Sequence, residues 1–469
     1  MSNEVSAQAV NRSGLLRSED WWAVWLGLFI VVLGAGQIWH IDLLGWAAKF
    51  GVWIDPSKAV GPGSKGFAWL GSIGSLVATY VFTLVVTSIG AYFMGTKVKK
   101  FVAGYTVIYW ITMAATVIGN YAYLAATPNK REAFNIGWSL SLGELGFVIA
   151  LLAGLVIGNF FPKVTRFLSD AAKPEWYIKT GIVILGMNIG IQAISALGLA
   201  GTVIVRGMCA VVEAYLIYWP IVYFVARKFF KFTPEWAAPM ASGISICGVA
   251  AAIATGSAIK ARQIIPTILA SVIIVFVAVE LLILPFAAAY FLPSEPMVAG
   301  SWLGQQFGVN YQEGWILMAA TTSKVFIDVF IGVWSFILAI VWSIYHLNDP
   351  RAAVASGAGK VSKREIWERF PKFIIGFVLA LVVIFAAGWL QPGIVDAAKA
   401  GAGQANLLRA VFFGLCFFSI GLVTNARKLW KSGLGRVIGV YAVALVGFII
   451  WVGLFISYIF YHGIVPPTL

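Results

Sequence analysis

The sequence predicts an all-α protein that crosses a lipid bilayer many times, because its composition and the length of its apolar segments both fit that class. Of its residues, 60% are hydrophobic and 11% are charged, whereas a soluble domain carries about 25% charged residues. The apolar segments run for roughly 20 residues, the length of a spanning helix, whereas strands of a membrane barrel would alternate over about 10. We therefore expect helices, which satisfy their own backbone N–H and C=O groups inside a bilayer.

About 11 to 13 apolar segments follow one another along the chain, and the number depends on how two irregular ones are counted. They lie at about 21–40, 66–95, 101–126, 142–161, 177–197, 201–226, 236–259, 264–292, 312–322, 324–346, 372–390, 405–424 and 433–461. No small-residue cleavage site follows the first segment. We expect it to be a retained helix rather than a signal peptide.

Positive charge is concentrated in the short connections between these segments. The chain has 33 Lys and Arg against 19 Asp and Glu, a net charge of +14. Basic residues gather in the cytoplasmic loops of membrane proteins, so we expect lipid rather than nucleic acid around the protein and place loop 348–370 in the cytoplasm. The connection 293–311 and the tail after His462 contain no Lys or Arg. This pattern predicts a cytoplasmic N-terminus and a C-terminus on the outer, periplasmic side.

Two stretches are too polar or too broken to be ordinary spanning helices. Residues 236–259 are rich in Gly, Ser and Ala, and residues 298–322 are interrupted by polar side chains. Irregular backbone at membrane depth is tolerated only where it lines a cavity or is buried in protein. We expect both stretches to be discontinuous or re-entrant helices and expect the functional site there.

A pattern of two helices occurs twice, with the same glycine and proline spacing in both copies. The matching residues are 146–151 (GFVIAL), Gly158, Pro162 and 187–191 (MNIGI) in the first copy and 376–381 (GFVLAL), Gly388, Pro392 and 418–422 (FSIGL) in the second. An odd number of predicted crossings separates the copies, so they would be inverted in the membrane. Inverted repeats with broken helices near the midplane are typical of secondary transporters.

The strongest local signal is the glycine- and serine-rich run Ser242-Gly243-Ile244-Ser245-Ile246-Cys247-Gly248. Glycines let the backbone unwind, and N–H groups freed at the start of a half-helix can hold an anion together with hydroxyl groups. We predict a substrate site at Ser242, Gly243, Ser245, Cys247 and Gly248. The alternative is close helix packing through small residues, which is the better interpretation of 256–258.

Ionisable residues inside apolar segments cost roughly 2.5–3.5 kcal/mol each on insertion scales and are therefore functional candidates. They are Glu144, Arg206, Glu213, Glu280, Lys324 and Asp328. Arg206 and Glu213 share a helix face, and Lys324 can neutralise Asp328 four residues further on, so both pairs have an equally good structural interpretation. Glu280 has no evident local partner and is the best candidate to carry a coupling proton, with a water-exposed helix end as the alternative.

No enzyme class is indicated by the sequence. It contains no HExxH, P-loop or GxSxG pattern, so the residues that zinc proteolysis and ATP hydrolysis require are missing. Cys209, Cys247 and Cys416 all lie in apolar segments and offer neither a disulfide framework nor a zinc motif. We expect no catalytic residues, no metal and no tightly bound cofactor.

The motif around Cys247 makes a family resemblance specific. The run 243–254 resembles the glycine–serine–cysteine–glycine signature of the YeiH/UPF0324 family, for which sulfate export has been inferred. Residues 158–162, 320–324 (ATTSK) and 418–428 are similar to other patches of that family. Residues 18–23 (SEDWWA) and the extra helices up to about residue 126 are similar to its longer members, so the resemblance covers nearly the whole chain.

The resemblance implies a carrier in the bacterial inner membrane. Together with the repeat, it leads us to expect a secondary transporter that exports a small anion such as sulfate, a related oxyanion or an organic anion. Protons or sodium would be the coupling ion, Ser419 and Asn425 would contribute from the second repeat, and a homo-oligomer is compatible with the sequence. One departure is that a second polar motif of the family is shortened or absent near 305–312. The alternatives are a cation/proton antiporter-like carrier using Glu280 or Asp328, and a channel-like or structural membrane subunit.

These expectations divide the chain into six regions. They are a polar N-terminal tail (1–20), extra N-terminal helices (21–135), a first transport repeat region (136–292), a second broken segment with its helix (293–347), the basic cytoplasmic loop (348–370) and a second repeat region (371–469).

Overall fold

The computed structural model is almost entirely helical. It describes residues 15, 17–126, 130–140, 145–197, 201–262, parts of 265–276, 326–328, 330–345, 372–424 and 434–461. Among these residues, nine helices are long and apolar enough to cross a membrane, or ten elements if one bent helix pair is counted as a span. A bilayer core of about 30 Å needs about 20 residues at 1.5 Å each. The predicted class, an all-α multi-pass membrane protein, is confirmed.

The helices of the described residues follow the apolar segments closely. In chain order they are α1 (Glu19–Ala35), α2 (Gly71–Phe93), α3 (Val98–Gly119), α4 (Ala122–Ala125), α5 (Leu145–Phe160), α6 (Pro162–Leu168), α7 (Pro174–Leu197), α8 (Gly201–Val212), α9 (Trp219–Lys228), α10 (Pro234–Ser242), α11 (Val249–Ala258), α12 (Ile331–Tyr345), α13 (Lys372–Leu390), α14 (Val395–Val423), α15 (Leu434–Tyr441) and α16 (Ile450–Tyr461). Three π-helical turns interrupt them, at Glu213–Tyr218, Gly243–Cys247 and Ala442–Ile449.

The chain forms two compact units, each assembled from distant parts of the sequence. The first unit draws on residues 1–126, 133–194 and 372–426, and the second on 127–132, 195–371 and 427–469. Both sequence copies of the repeated two-helix pattern therefore lie in the first unit. The glycine- and serine-rich motif lies in the second.

A small β-hairpin in the first unit was not predicted. Strands β1 (Ala48–Phe50) and β2 (Val60–Pro62) pair antiparallel in the polar stretch between α1 and α2. The Ala48 N–H donates to the Thr79 hydroxyl of α2 at 2.8 Å. Hydropathy does not reveal such a short element, because it depends on hydrogen bonds to a neighbouring helix.

Helix α1 is an integral part of the first unit. Gly27 lies against Val183 of α7. The Lys179 ammonium group contacts Asp20 at 2.8 Å and Glu175 at 2.9 Å, and its side chain is only 5% exposed. A charge buried this far is tolerated only when it is paired and hydrogen-bonded. The buried ion pairs therefore fix the start of α1 against α7.

Helix α5 of the first copy packs against α14 of the second copy. The rings of Phe147 and Phe413 lie 6.4 Å apart, and the Asn159 side-chain amide donates to the Thr424 carbonyl at 3.0 Å. The contact with the higher residue number in α5 also has the higher residue number in α14, so the two helices run parallel.

Helix α13 of the second copy packs against α7 of the first copy in the equivalent way. Gly376 lies beside Val183, and Gly388 lies beside Ile194. Residue numbers again increase in the same direction along both helices, so α7 and α13 are parallel. The positions correspond to those of the α5–α14 contact when the two copies are aligned by sequence.

Helices α7 and α14, which are equivalent in the two copies, run antiparallel. The ring of Tyr177, near the start of α7, lies beside the ring of Phe412 of α14, with centroids 6.3 Å apart. Farther along α7, Met187 lies next to Gly34 of α1, and Ala405 of α14 lies next to the same glycine. Residue numbers thus rise in α7 as they fall in α14.

Helix α14 begins well before the predicted start at residue 405. Pro392 precedes its first turn, where a proline is compatible with a helix start. Its early turns contain Gln404, whose side-chain amide donates to Asp42 at 3.0 Å. Polar residues that are hydrogen-bonded inside the protein lower the mean hydropathy of this stretch. The hydropathy pattern therefore did not predict the first part of the helix.

Candidate functional site

The glycine- and serine-rich motif forms the tip of a helical hairpin in the second unit. At the base, the Glu235 carboxylate accepts from the Arg262 backbone N–H at 2.7 Å and forms an ion pair with its guanidinium group at 3.0 Å. Nearer the tip, Thr255 donates to the Ser242 hydroxyl oxygen at 2.6 Å. Both pairs are centred in sequence near Gly248, so α10 and α11 lie side by side and run in opposite directions.

Each arm of this hairpin is too short to cross a bilayer. The ten residues of α11 extend about 15 Å, half of a typical hydrocarbon core. The chain therefore turns back at the motif and returns to the end from which it entered. The predicted discontinuity of 236–259 is present, whereas the second predicted break, 298–322, lies outside the described residues.

Gly248 makes the sharp turn at the tip. Its backbone has φ +82° and ψ −128°, a region that is essentially restricted to glycine. A Cβ at this position would lie 3.2 Å from Ile273. The backbone conformation and the space around it therefore both require glycine here.

Possible hydrogen-bond donors lie on both sides of this turn. Gly248 is the N-cap of α11 and has no side chain that could cap the first-turn N–H groups. On the preceding π-helical turn, the Ser245 side chain is 7% exposed, and its hydroxyl has no hydrogen-bond partner among the described residues. Buried polar groups are normally hydrogen-bonded, so the Ser245 hydroxyl is an unusual feature of the hairpin tip.

Ser242 has a different environment from Ser245. Its hydroxyl oxygen accepts from the Trp219 indole N–H at 2.8 Å and from Thr255. It therefore ties both arms of the hairpin to α9. Its predicted contact with substrate stays a prediction, and the sequence analysis missed Trp219 and Thr255, which are distant in sequence and lack a motif.

Aromatic and acidic residues form one wall beside the tip. The Tyr215 hydroxyl donates to the Ile327 carbonyl at 2.7 Å and interacts electrostatically with both Cys247 and Asp328. Asp328 is buried, with 6% of its surface exposed. Two residues predicted as separate candidates, Cys247 and Asp328, are thus brought to the same tyrosine.

The remaining candidates occupy different positions. Glu213 is partly buried and accepts a hydrogen bond from Tyr218, and the Arg206 side chain lies outside the described part. Ser419, in the first unit, donates to the Leu415 carbonyl of its own helix at 2.6 Å. The other four candidates lie outside the described residues and stay predictions: Glu144, Glu280, Lys324 and Asn425. Within the described residues, no group of three or more His, Cys, Asp and Glu side chains is arranged to hold a metal.

The fold and the hairpin define a multi-pass, all-helical membrane protein with an internal broken helix. The family model described as conserved hypothetical protein 698 matches residues 139–440. A UPF0324 membrane protein of Nitrosomonas europaea is 38% identical over 97% of this chain and 98% of its own length. The chain belongs to the UPF0324 family.

Two further relatives show how far the similarity extends. A UPF0324 membrane protein of Rhodopirellula baltica is 30% identical over 81% of this chain and 65% of its own length. The UPF0324 inner membrane protein YeiH of Escherichia coli is 24% identical over 62% of this chain and 79% of its own length. No solved structure matches the chain.

Proposed function

We propose that this protein is a secondary transporter of a small anion and that the hairpin tip binds the anion. The observation that carries the proposal is the reversal at Gly248, where the start of a half-helix with a glycine N-cap lies next to the buried hydroxyl of Ser245, which has no hydrogen-bond partner among the described residues. Backbone N–H groups and the positive end of a helix dipole favour an anion at such a place. Sulfate and related oxyanions are the substrate class that several donors in a small space fit best.

Neutral donors suit a carrier better than a strongly attracting cation would. An anion held by N–H and O–H groups is stabilised enough to enter a low-dielectric site and can still leave it. An arginine or lysine at the same place would form a charge-assisted bond roughly twice as strong. Among the described residues, the donors around Gly248 are backbone groups and hydroxyls.

The packing of the first unit supports an inverted-repeat architecture. Equivalent helices α7 and α14 are antiparallel, and the α5–α14 and α7–α13 contacts correspond to each other. A pair of repeats related in this way gives two nearly equivalent arrangements, open to opposite sides of the membrane. This is the property that alternating access requires.

The cytoplasmic N-terminus and inner-membrane location are part of the same proposal. Arg227 and Lys228 precede the hairpin, and Lys260 and Arg262 follow it. Because both ends of the hairpin lie together, the positive-inside rule places all four residues on the cytoplasmic side. YeiH, by its name, is an inner membrane protein.

Protection of Cys247 tests the proposed site directly. With Cys209 and Cys416 replaced by Ala, the full-length protein in liposomes should react slowly with a small methanethiosulfonate reagent at Cys247. Sulfate, phosphate or acetate, tested separately, should slow that reaction if transported. The same anions should show saturable exchange in liposomes. An anion that exchanges saturably without protecting Cys247 would place the site elsewhere, and non-saturating flux would indicate a channel.

A further inference from the structure

A π-helical turn between α8 and α9 creates a carboxyl–phenol pair within a membrane-spanning helix. Glu213 and Tyr218 are the first and last residues of that turn. In an α-helix, residues five apart point about 140° away from each other, whereas the i→i+5 hydrogen bonding of a π-helix brings them onto one face. The Tyr218 hydroxyl accordingly donates to the Glu213 carboxylate. The turn is therefore what allows this pair to form.

The neighbouring helix leaves space for the pair. Gly453 of α16 would place a Cβ 3.3 Å from the Tyr218 hydroxyl and 4.0 Å from Glu213 Oε1. The Tyr218 ring meets Phe448 edge-on, with centroids 6.1 Å apart. The carboxylate thus lies in an apolar, partly buried setting, where a negative charge is expensive.

The pair is also connected to the hairpin. Trp219 directly follows Tyr218 and donates to Ser242, which holds the two hairpin arms together. The π-helical turns Glu213–Tyr218 and Gly243–Cys247 contact each other. A change in the Glu213–Tyr218 hydrogen bond therefore reaches the hairpin through one peptide unit and one side-chain hydrogen bond.

We propose that Glu213 is the proton-binding site that couples anion movement to the proton gradient. The proposal rests on the proposed transport function and deepens it by naming the coupling group. A proton from water on one side of the membrane converts the carboxylate into a neutral acid. Glu213 later releases this proton to water on the other side. When neutral, Glu213 can donate a hydrogen bond itself, so protonation rearranges its bond with Tyr218.

Few other ionisable groups reach this turn among the residues that the structure describes. Tyr218 comes from its own helix, and α16 contributes Gly453 at the contact, which carries no charge. Two further ionisable side chains lie near Tyr215, which belongs to the same π-helical turn. They are Cys247 of the hairpin and Asp328, which precedes α12. Asp328 is therefore the competing candidate that an experiment must separate from Glu213.

Infrared difference spectroscopy of the purified full-length protein tests proton binding without any substrate. A pH change should produce a protonated-carboxyl band that is lost in Glu213→Gln, shifted in Tyr218→Phe and retained in Asp328→Asn. A band that persists in Glu213→Gln, or disappears in Asp328→Asn instead, would overturn the assignment. This result does not depend on which anion is transported, so it separates failure of the proton site from failure of the transport proposal.

Liposome assays with radiolabelled sulfate test the coupling itself. Glu213→Gln should lose net uptake driven by a pH gradient while retaining sulfate/sulfate exchange, because exchange needs no net proton movement. Gly453→Val should crowd the pair and weaken gradient-driven uptake, whereas Gly447→Val, which has open space around it, should resemble the wild type. Equal loss of uptake and exchange in Glu213→Gln would show that Glu213 only supports the fold.

Discussion

Two independent constraints favour glycine at position 248. Its φ of +82° is accessible to glycine, and its missing side chain leaves room beside Ile273. The neighbouring Ser245 hydroxyl is buried among residues that offer it no partner within the described structure. An unsatisfied buried polar group costs about 1–3 kcal/mol. Such a group beside a turn that requires glycine supports the proposed binding role more than a role in packing alone.

A matched pair of glycine variants separates binding from backbone strain. Gly248→Ala should abolish anion protection of Cys247 and transport, because alanine both strains the tip and fills the site. Gly71→Ala imposes a comparable strain at φ +60°, with no heavy atom within 4 Å of the new Cβ. We expect thermal stability in detergent to fall in both variants by about 1–3 kcal/mol and transport to fall only in Gly248→Ala. Equal transport rates in the two variants would show that the motif serves helix packing and does not bind the anion.

The sequence predicted this residue-scale feature only in part. Two glycines, two serines and a cysteine in seven residues indicated a break, because glycine clusters weaken a helix wherever they occur. Ser242 accepts from Trp219 and Thr255, whereas Ser245 has no partner within the described structure, and this distinction was not predictable. It depends on side chains that the fold brings together from distant positions.

At the scale of the element, the hairpin is closed at its base by Glu235 and Arg262. The Arg262 side chain is 66% exposed, and exposed ion pairs contribute only about 0–1 kcal/mol. The bond from the Arg262 backbone N–H to the same carboxylate is independent of the arginine side chain. This backbone bond is the stronger contribution to closing the hairpin.

Three variants rank these contributions. Glu235→Ala removes both interactions, and we expect it to cost about 0.5–1.5 kcal/mol, because the exposed backbone donor exchanges its carboxylate acceptor for water. Glu235→Gln and Arg262→Ala keep the backbone donor and an acceptor, so each should cost less. The rate of Cys247 modification and the thermal unfolding temperature measure hairpin opening. If Arg262→Ala matched Glu235→Ala in both measurements, charge rather than the backbone bond would close the hairpin.

Two of the π-helical turns, Glu213–Tyr218 and Ala442–Ile449, were not predictable from the sequence. Their residues have the hydropathy of an ordinary apolar helix. A π-turn arises when packing against neighbouring helices shifts the backbone hydrogen bonds by one residue. Helix positions and the hairpin break depend on local composition and were therefore accessible, whereas the Glu213–Tyr218 pair depends on tertiary packing and was not.

At the scale of the whole molecule, helix directions agree with the proposed number of membrane crossings. If the N-terminus is cytoplasmic, successive crossings make α7 and α13 run outward and α5 and α14 run inward. The contacts of the first unit require the same pairing, with α7 parallel to α13 and α5 parallel to α14. The pairing would be the same with the N-terminus outside, so it supports the proposed inverted topology and leaves the choice of side to a labelling experiment.

The hairpin gives this topology its sharpest test. An ordinary spanning helix over residues 234–258 would place Lys228 and Lys260 on opposite sides of the membrane. A re-entrant hairpin places both on the same side, because its two ends are joined at Glu235 and Arg262, and in the proposed orientation that side is the cytoplasm. We expect single-cysteine variants at these two exposed lysines to react only with reagents that reach the cytoplasm.

Three further single-cysteine variants calibrate the measurement. A cysteine at Ser356, in the basic loop, should label from the cytoplasm together with those at Lys228 and Lys260. Cysteines at Ser57, between α1 and α2, and at Thr468 should label from outside with an impermeant maleimide on intact cells. Labelling of Lys228 and Lys260 from opposite sides would disprove the re-entrant hairpin. Labelling of Ser356 and Thr468 from the same side would disprove the orientation and the inverted repeat, because the segment between them would then contain an even number of crossings.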